Sequence, residues 1–201
     1  MDKEVKIESY NKFPFEERKR YEETFVDNNP SLIKDLTSSQ QIYNLSQSDM
    51  DIYSGTDITV RSGRDIWGEA LRIRSPRFFK WAKNFSLGMH MSKPNSQIHA
   101  VLNSISDKEV YYPHFILQVN GVEPDGYCKE CWAIKIQTNV FAHILFNYIE
   151  DNTIDDYYQS NLDAYEWSFG DTFNATHTGV VVYYIENNKI KSHHTNAETN
   201  D

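Results

Sequence analysis

Four side chains could together handle a phosphate ester. Asp57 lies where a strand begins, Glu69 and Arg72 lie on the strand that follows the next turn, and Glu22 lies on the first predicted helix. Two or three converging carboxylate oxygens can bind Mg²⁺, a hard cation that keeps several waters. Such an ion activates a water and stabilises charge on a phosphoryl group, and an adjacent Arg adds to that stabilisation. The candidate catalytic residues are Asp57, Glu69 and Arg72, and the candidate ligands for Mg²⁺ or Mn²⁺ are Asp57, Glu69 and Glu22.

Strand parity restricts how these side chains can meet. Successive side chains of a strand point to opposite faces, so Glu69 shares a face with Leu71, whereas Arg72 shares a face with Ala70. Only a bulge after Gly68 would bring the acid and the arginine together. The structural alternative is that the carboxylate at the strand start caps a turn and that the arginines are solvated strand residues.

The basic residues are concentrated in one segment. Residues 61–93 contain eight Lys and Arg against two acids, a net charge of +6, although the whole chain of 201 residues has a net charge of −9. The Lys and Arg residues of this segment alternate with Phe and Trp, which is typical of a surface that follows a phosphate backbone and stacks bases. Such aromatic residues also suit a hydrophobic core. The candidate nucleic-acid contacts are Arg61, Arg64, Arg74, Arg77, Lys80 and Lys83.

The acidic residues are concentrated at the other end. From residue 150 onward the chain has ten acids and two bases, a net charge of −8. This pattern favours a second class of function, in which the acidic C-terminal third binds a basic protein partner without catalysis, as a phage or bacterial inhibitor or adaptor would.

Cys128 and Cys131 form one CxxC pair in the loop of a predicted hairpin. One such pair supplies half of a tetrahedral zinc site, and His114 or the His193-His194 pair could supply the other half. No spacing enforces that set, so zinc and ordinary free cysteines both stay open.

Hydrophobic periodicity predicts an α+β domain with one mixed sheet. Predicted helices cover residues 15–26, 31–36, 77–83 and 139–150, and a weaker one lies near 155–165. Predicted strands cover residues 57–61, 68–74, 85–91, 111–119, 132–136, 179–185 and 189–192. The stretch 37–51 is rich in Ser, Gln and Asn and is predicted to be a loop. These elements form a single domain over residues 1–192, followed by a flexible polar tail over residues 193–201.

The order of these elements resembles the PD-(D/E)XK nuclease-like superfamily, in particular its small phage and bacterial members. The matching segments, over about residues 15–185, are FEERKRYEETF, GTDITV, LRIR, NFSLGMHMS, YYPHFILQVNG and CWAIKIQTNVFAHIL. The resemblance implies a restriction-endonuclease-like core, a mixed β-sheet flanked by helices. It also implies a divalent metal site at Asp57 and the following strand, and hydrolysis of nucleic acid phosphodiesters. A degenerate member of the superfamily would bind without cleaving.

Composition excludes several classes of protein. The chain is 39% hydrophobic and 14% aromatic, which excludes general disorder, and it has no run of about 18 apolar residues that could span a membrane. It contains no GxSxG, P-loop, GxGxxG or HExxH motif. With two cysteines and no apolar stretch near the N-terminus, the expected location is the cytoplasm of a bacterial cell or of a phage-infected host.

Overall fold

The computed structural model describes residues 15–45, 48, 55–81, 86–88, 113–138, 166–168 and 180–195. Two helices come first, α1 (Phe15–Asn28) and α2 (Pro30–Thr37). Proline suits the first turn of a helix because its missing N–H would have no partner there, which explains the start of α2. Among the described residues, no helix is long and apolar enough to cross a membrane.

Most of the remaining regular structure is extended. The described strands are β1 (Gln41–Asn44), β2 (Ile58–Ser62), β3 (Asp65–Arg74), β4 (Ser86–Gly88), β5 (Phe115–Asn120), β6 (Glu130–Gln137), β7 (Glu166–Ser168), β8 (Val180–Glu186) and β9 (Lys189–Thr195). A 3₁₀ helix (Pro76–Trp81) follows β3. Strands β4 and β7 pair with each other in a separate two-stranded sheet.

Seven strands form one sheet in the order β1-β2-β3-β5-β6-β8-β9. Strands β3 and β5 are parallel, and every other neighbouring pair is antiparallel. The described part of the chain is therefore an α+β structure with one mixed sheet, as the sequence predicts.

Short turns join two of the antiparallel pairs. Gly63, at the first central position of the β2–β3 turn, has a φ of 60°, which a residue without a Cβ adopts easily. Asn187 and Asn188 both have positive φ in the β8–β9 turn, as a type I′ turn requires. Both hairpins are the ones predicted from the sequence.

Both helices pack on one face of the sheet. Four buried helix residues belong to the same core cluster as residues of β2, β3, β5, β6 and β8: Phe25, Leu32, Ile33 and Leu36. We call this side of the sheet the helix-covered face. On β3 it includes Leu71 and Ile73, and on the neighbouring β5 it includes Leu117 and Val119.

Several boundaries differ from those predicted. Residues 41–44, predicted to be loop, form β1 because they pair with β2. The segment predicted as a helix over 77–83 is the 3₁₀ helix, and β9 runs past residue 192 to Thr195. The helices predicted over 139–150 and near 155–165 lie outside the described residues.

Candidate functional site

Asp57 is attached to the middle of β3. Its backbone N–H donates to the carbonyl of Glu69 at 3.1 Å, and its Oδ2 accepts from the backbone N–H of Leu71 at 2.5 Å. These two hydrogen bonds flank Ala70, so Asp57 lies opposite Ala70 and next to the Ile58–Glu69 pair. The side chain of Asp57 is half-buried.

Glu69 and Arg72 lie on opposite faces of the sheet. The pairing of β3 with β5 runs from Glu69 opposite Phe115 to Arg74 opposite Asn120 without a register shift, so no bulge follows Gly68. Glu69 belongs to the helix-covered face and is fully buried, whereas Arg72 belongs to the other face. The structure therefore separates Glu69 from Arg72, and it joins Asp57 to Glu69 through their backbones.

The cation beside Glu69 is Lys135 of β6. Its Nζ lies 2.7 Å from Glu69 Oε1, and the side chains are 10% and 0% exposed, respectively. The same Nζ lies 3.5 Å from the carbonyl oxygen of Thr37 at the end of α2 and 4.3 Å from the ring centre of Phe115. Lys135 thus crosses over β5 to reach β3.

Sequence reasoning did not identify Lys135. Alternation in β6 puts Trp132, Ile134 and Ile136 on one face, and Lys135 lies on the opposite face. The residues that share the face of Lys135 are Cys131 and Ala133, and both are fully buried. Their small apolar side chains were the available indication that this strand is buried on both faces.

Two aromatic residues complete the surroundings of Glu69. The indole Nε1 of Trp67 donates to Glu69 Oε1 at 2.9 Å. The hydroxyl of Tyr183 on β8 donates to the carbonyl of Leu36 at 3.4 Å, which ties β8 to α2. Burial raises the pKa of Tyr183, and the Glu69 carboxylate adds to the rise, so the phenol lies within electrostatic reach of that carboxylate.

The two oxygens of Glu69 have different environments. Oε1 accepts from Lys135 and Trp67, whereas Oε2 is buried and has no hydrogen-bond partner among the described residues. Burial raises the pKa of Glu69, and the Lys135 charge and both hydrogen bonds oppose that rise. A buried carboxylate oxygen without a partner is rare, and an ion or a water is a common explanation.

Glu22, the third candidate ligand, is half-buried on α1, the helix that packs against β3. Within the described ranges, no group of three or more His, Cys, Asp and Glu side chains is arranged to hold a metal ion. A site here would therefore have fewer than three such ligands, which is compatible with Mg²⁺ because that ion is usually bound by one or two carboxylates plus waters.

The predicted nucleic-acid contacts are divided between two places. Arg61 and Arg64 are exposed at the tip of the β2–β3 hairpin, where the Arg61 Nε donates to the carbonyl of Gly63 at 2.9 Å. Arg77 is also exposed, but Arg74 is 7% exposed and shares the face of Arg72. Only the backbone of Lys80 is described, and Lys83 lies outside the described residues, as do most acids of the C-terminal third.

Cys128 and Cys131 are buried free thiols in the core cluster. The hydrogen bond with Cys128 and burial raise the pKa of Cys131, which disfavours the thiolate that zinc would require. His114 precedes β5 and therefore lies at the opposite end of the β5–β6 hairpin from Cys131. His193 is exposed on β9, opposite Tyr183.

Comparison of the chain with protein-family models, with curated proteins and with solved structures finds no match. Functional inference therefore depends on the geometry around Asp57, Glu69 and Lys135.

Proposed function

We propose that this protein is a nuclease-like hydrolase with a restriction-endonuclease-like core, and that it acts on nucleic acid phosphodiesters with Mg²⁺ or Mn²⁺. Two features support the proposal: Asp57, just before β2, is joined through its backbone to Glu69 on β3 of a mixed sheet, and the helix bearing Glu22 packs against β3. The observation that carries it is the buried Oε2 of Glu69, for which the described residues supply no hydrogen bond.

A carboxylate oxygen without a hydrogen-bond partner suits a hard divalent cation. Carboxylate oxygens are the preferred ligands of Mg²⁺, and Glu69 would hold it through Oε2, with Asp57 and Glu22 as the further carboxylates. A divalent cation bound there supplies a polarised water and offsets the negative charge of the phosphate.

The remaining residues of the site position the carboxylates of Glu69 and Asp57 and shield Glu69 from water. Lys135 and Trp67 fix the Glu69 carboxylate through Oε1, and the backbone of β3 fixes Asp57. The helix-covered face excludes bulk water from Glu69, which strengthens its electrostatic interactions. Arg61 and Arg64, at the exposed hairpin tip, are placed to contact the phosphate backbone.

The test is cleavage of labelled DNA and RNA in Mg²⁺, in Mn²⁺ and in excess chelator. We expect metal-dependent cleavage that is lost in Asp57→Asn and Glu69→Gln, and Lys191→Met is the matched control because it alters an exposed lysine on β9. The substitutions Asp57→Asn and Glu69→Gln remove charge with little change of shape, so circular dichroism can check that the variants stay folded.

Two results would contradict the enzymatic proposal. Salt-sensitive binding of nucleic acid without cleavage in any metal would instead indicate a binding-only form of this fold. Cleavage that persists equally in Asp57→Asn and Glu69→Gln would show that the activity comes from another site or from a contaminant.

A further inference from the structure

We propose that Lys135 and Trp67 are the positioning residues of this site: by holding Oε1 of Glu69 they leave Oε2 as the oxygen that binds the divalent cation. The inference rests on the proposed function, because it assigns separate roles to the two oxygens of one proposed ligand. It also assigns to Lys135 the position beside Glu69 for which Arg72 was the candidate cation in the sequence.

Two donors from different strands hold Oε1 of Glu69 in place. The ammonium of Lys135 lies 2.7 Å from this oxygen, and the indole N–H of Trp67 donates to it at 2.9 Å. These donors come from different strands, β6 and β3, so the carboxylate is held from two directions. A carboxylate held in this way cannot rotate to exchange its oxygens without breaking both interactions.

Lys135 is itself held by several elements. Its Nζ lies over the ring of Phe115 on β5, at 4.3 Å from the ring centre, and 3.5 Å from the carbonyl oxygen of Thr37 on α2. A lysine at an exposed position has many side-chain conformations, but here the surrounding ring and carbonyl restrict the ammonium to the side of Oε1. The conformation of Glu69 is therefore fixed before any ligand arrives.

A purely structural role does not explain why Oε1 and Oε2 of Glu69 differ in their hydrogen bonding. Buried ion pairs can often be replaced by apolar residues without loss of stability, so stability alone is a weak reason for such a pair. A structural pair is also expected to have its remaining lone pairs satisfied, because a partly satisfied buried network is costly. Here one oxygen has two donors, whereas the other has none among the described residues.

The test measures Mn²⁺ binding by calorimetry and steady-state cleavage on the full chain. In Lys135→Met we expect Mn²⁺ to bind more weakly than in the wild type, because the carboxylate that would hold the ion is no longer oriented. We expect the turnover rate to fall by about 10- to 100-fold, the usual effect of losing a residue that orients a metal ligand. Lys135→Arg keeps the charge and a donor and should recover part of the rate.

Trp67→Phe keeps the test decisive if Lys135→Met does not fold. It removes one neutral donor to Oε1, so we expect a fall of about 10-fold in kcat with KM unchanged and Mn²⁺ affinity lowered. Lys191→Met is the matched control, since it removes an exposed lysine that pairs with Glu186. This control should cleave and bind Mn²⁺ as the wild type does.

The outcomes separate the two proposals. If the wild type neither binds Mn²⁺ nor cleaves, both the proposed function and the positioning roles are wrong. If the wild type cleaves but folded Lys135→Met and Trp67→Phe have unchanged kcat, only the positioning roles are wrong. Unchanged Mn²⁺ affinity in folded Lys135→Met would overturn the role of Lys135, because a residue that orients the metal ligand must affect how the ion binds.

Discussion

Two Glu–Lys ion pairs among the described residues have very different surroundings. Glu69 and Lys135 are 2.7 Å apart, with side-chain exposures of 0% and 10%. Glu186 and Lys191, on the β8–β9 hairpin, are 3.3 Å apart, with exposures of 42% and 47%. The same two residue types thus form one pair removed from solvent and one that stays hydrated.

The difference shows that pairing and environment have separate energetic effects. Water screens the exposed pair, so it contributes little to stability and neither residue depends on the other. The buried pair loses its hydration, and each charge then depends on its partner. Burial is accordingly the largest influence on the pKa of Glu69, even beside a lysine. The following experiments test this contrast.

The largest effect is expected from Lys135→Met. It leaves Glu69 charged and buried without its partner, so we expect the free energy of unfolding to fall by about 3–5 kcal/mol, which lowers the melting temperature by roughly 6–20 °C. Urea denaturation and calorimetry measure the change. A loss below about 1 kcal/mol would show that Glu69 is not dependent on this lysine.

Trp67→Phe should have the next largest effect. The substitution keeps an aromatic ring and removes the N–H that donates to Glu69 Oε1. Hydrogen bonds to charged groups contribute about 1–3 kcal/mol, and we expect a loss in that range from urea denaturation. The same substitution in a Glu69→Gln background should cost less, and equal costs in both backgrounds would mean that the bond to the carboxylate is unimportant.

The double variant Glu69→Met, Lys135→Met tests whether the buried pair is needed for folding. We expect its free energy of unfolding to lie within about 1 kcal/mol of the wild-type value, because apolar side chains of similar length replace both charges. A double-mutant cycle with the two single variants should give a large coupling energy. A double variant as unstable as Lys135→Met alone would contradict dependence between the partners.

Lys191→Met should change stability by at most about 0.5 kcal/mol, because it breaks only the exposed pair. Raising the salt concentration should reduce even this difference, whereas the effect of Lys135→Met should persist in salt. Equal salt sensitivity of the two variants would remove the contrast between the pairs.

The smallest effect is expected from protonation of His114, which directly precedes β5. Burial lowers the pKa of His114, and its Nδ1 accepts from the backbone N–H of Gly68 at 3.2 Å. A lowered folded-state pKa gives stability that is present above the unfolded pKa and is lost as the pH falls through the folded value. The wild-type melting temperature should therefore drop by about 1 °C more than that of His114→Asn between about pH 7 and pH 5. An equal drop in the two proteins would show that protonation of His114 does not affect stability.

Local patterns were sufficient for much of this fold. Hydrophobic periodicity and strand alternation predicted most elements, and parity alone indicated that Glu69 and Arg72 would diverge in a regular strand. By contrast, β1 has a polar sequence, QIYN, and becomes a strand only because β2 lies beside it. Local sequence patterns do not show which strands pair with each other.

The site was only partly predictable for the same reason. Asp57 and Glu69 meet through a hairpin, which is local in sequence. Lys135 reaches Glu69 only because β5 pairs with both β3 and β6, and the order of strands in a sheet is a non-local property. A lysine in a strand is usually solvated, and only the small apolar Cys131 and Ala133 on its face indicated burial.

The parallel pairing of β3 with β5 has a consequence for how the chain folds. The β8–β9 hairpin closes across two residues and can form within microseconds, whereas β3 meets β5 only after residues 75–114 have made a crossover connection. Closing that long loop reduces chain entropy before any contact offsets it, so such pairing is slow. We expect Lys135 to leave water late in folding, after the hairpins have formed and in the same step that joins the two halves of the sheet.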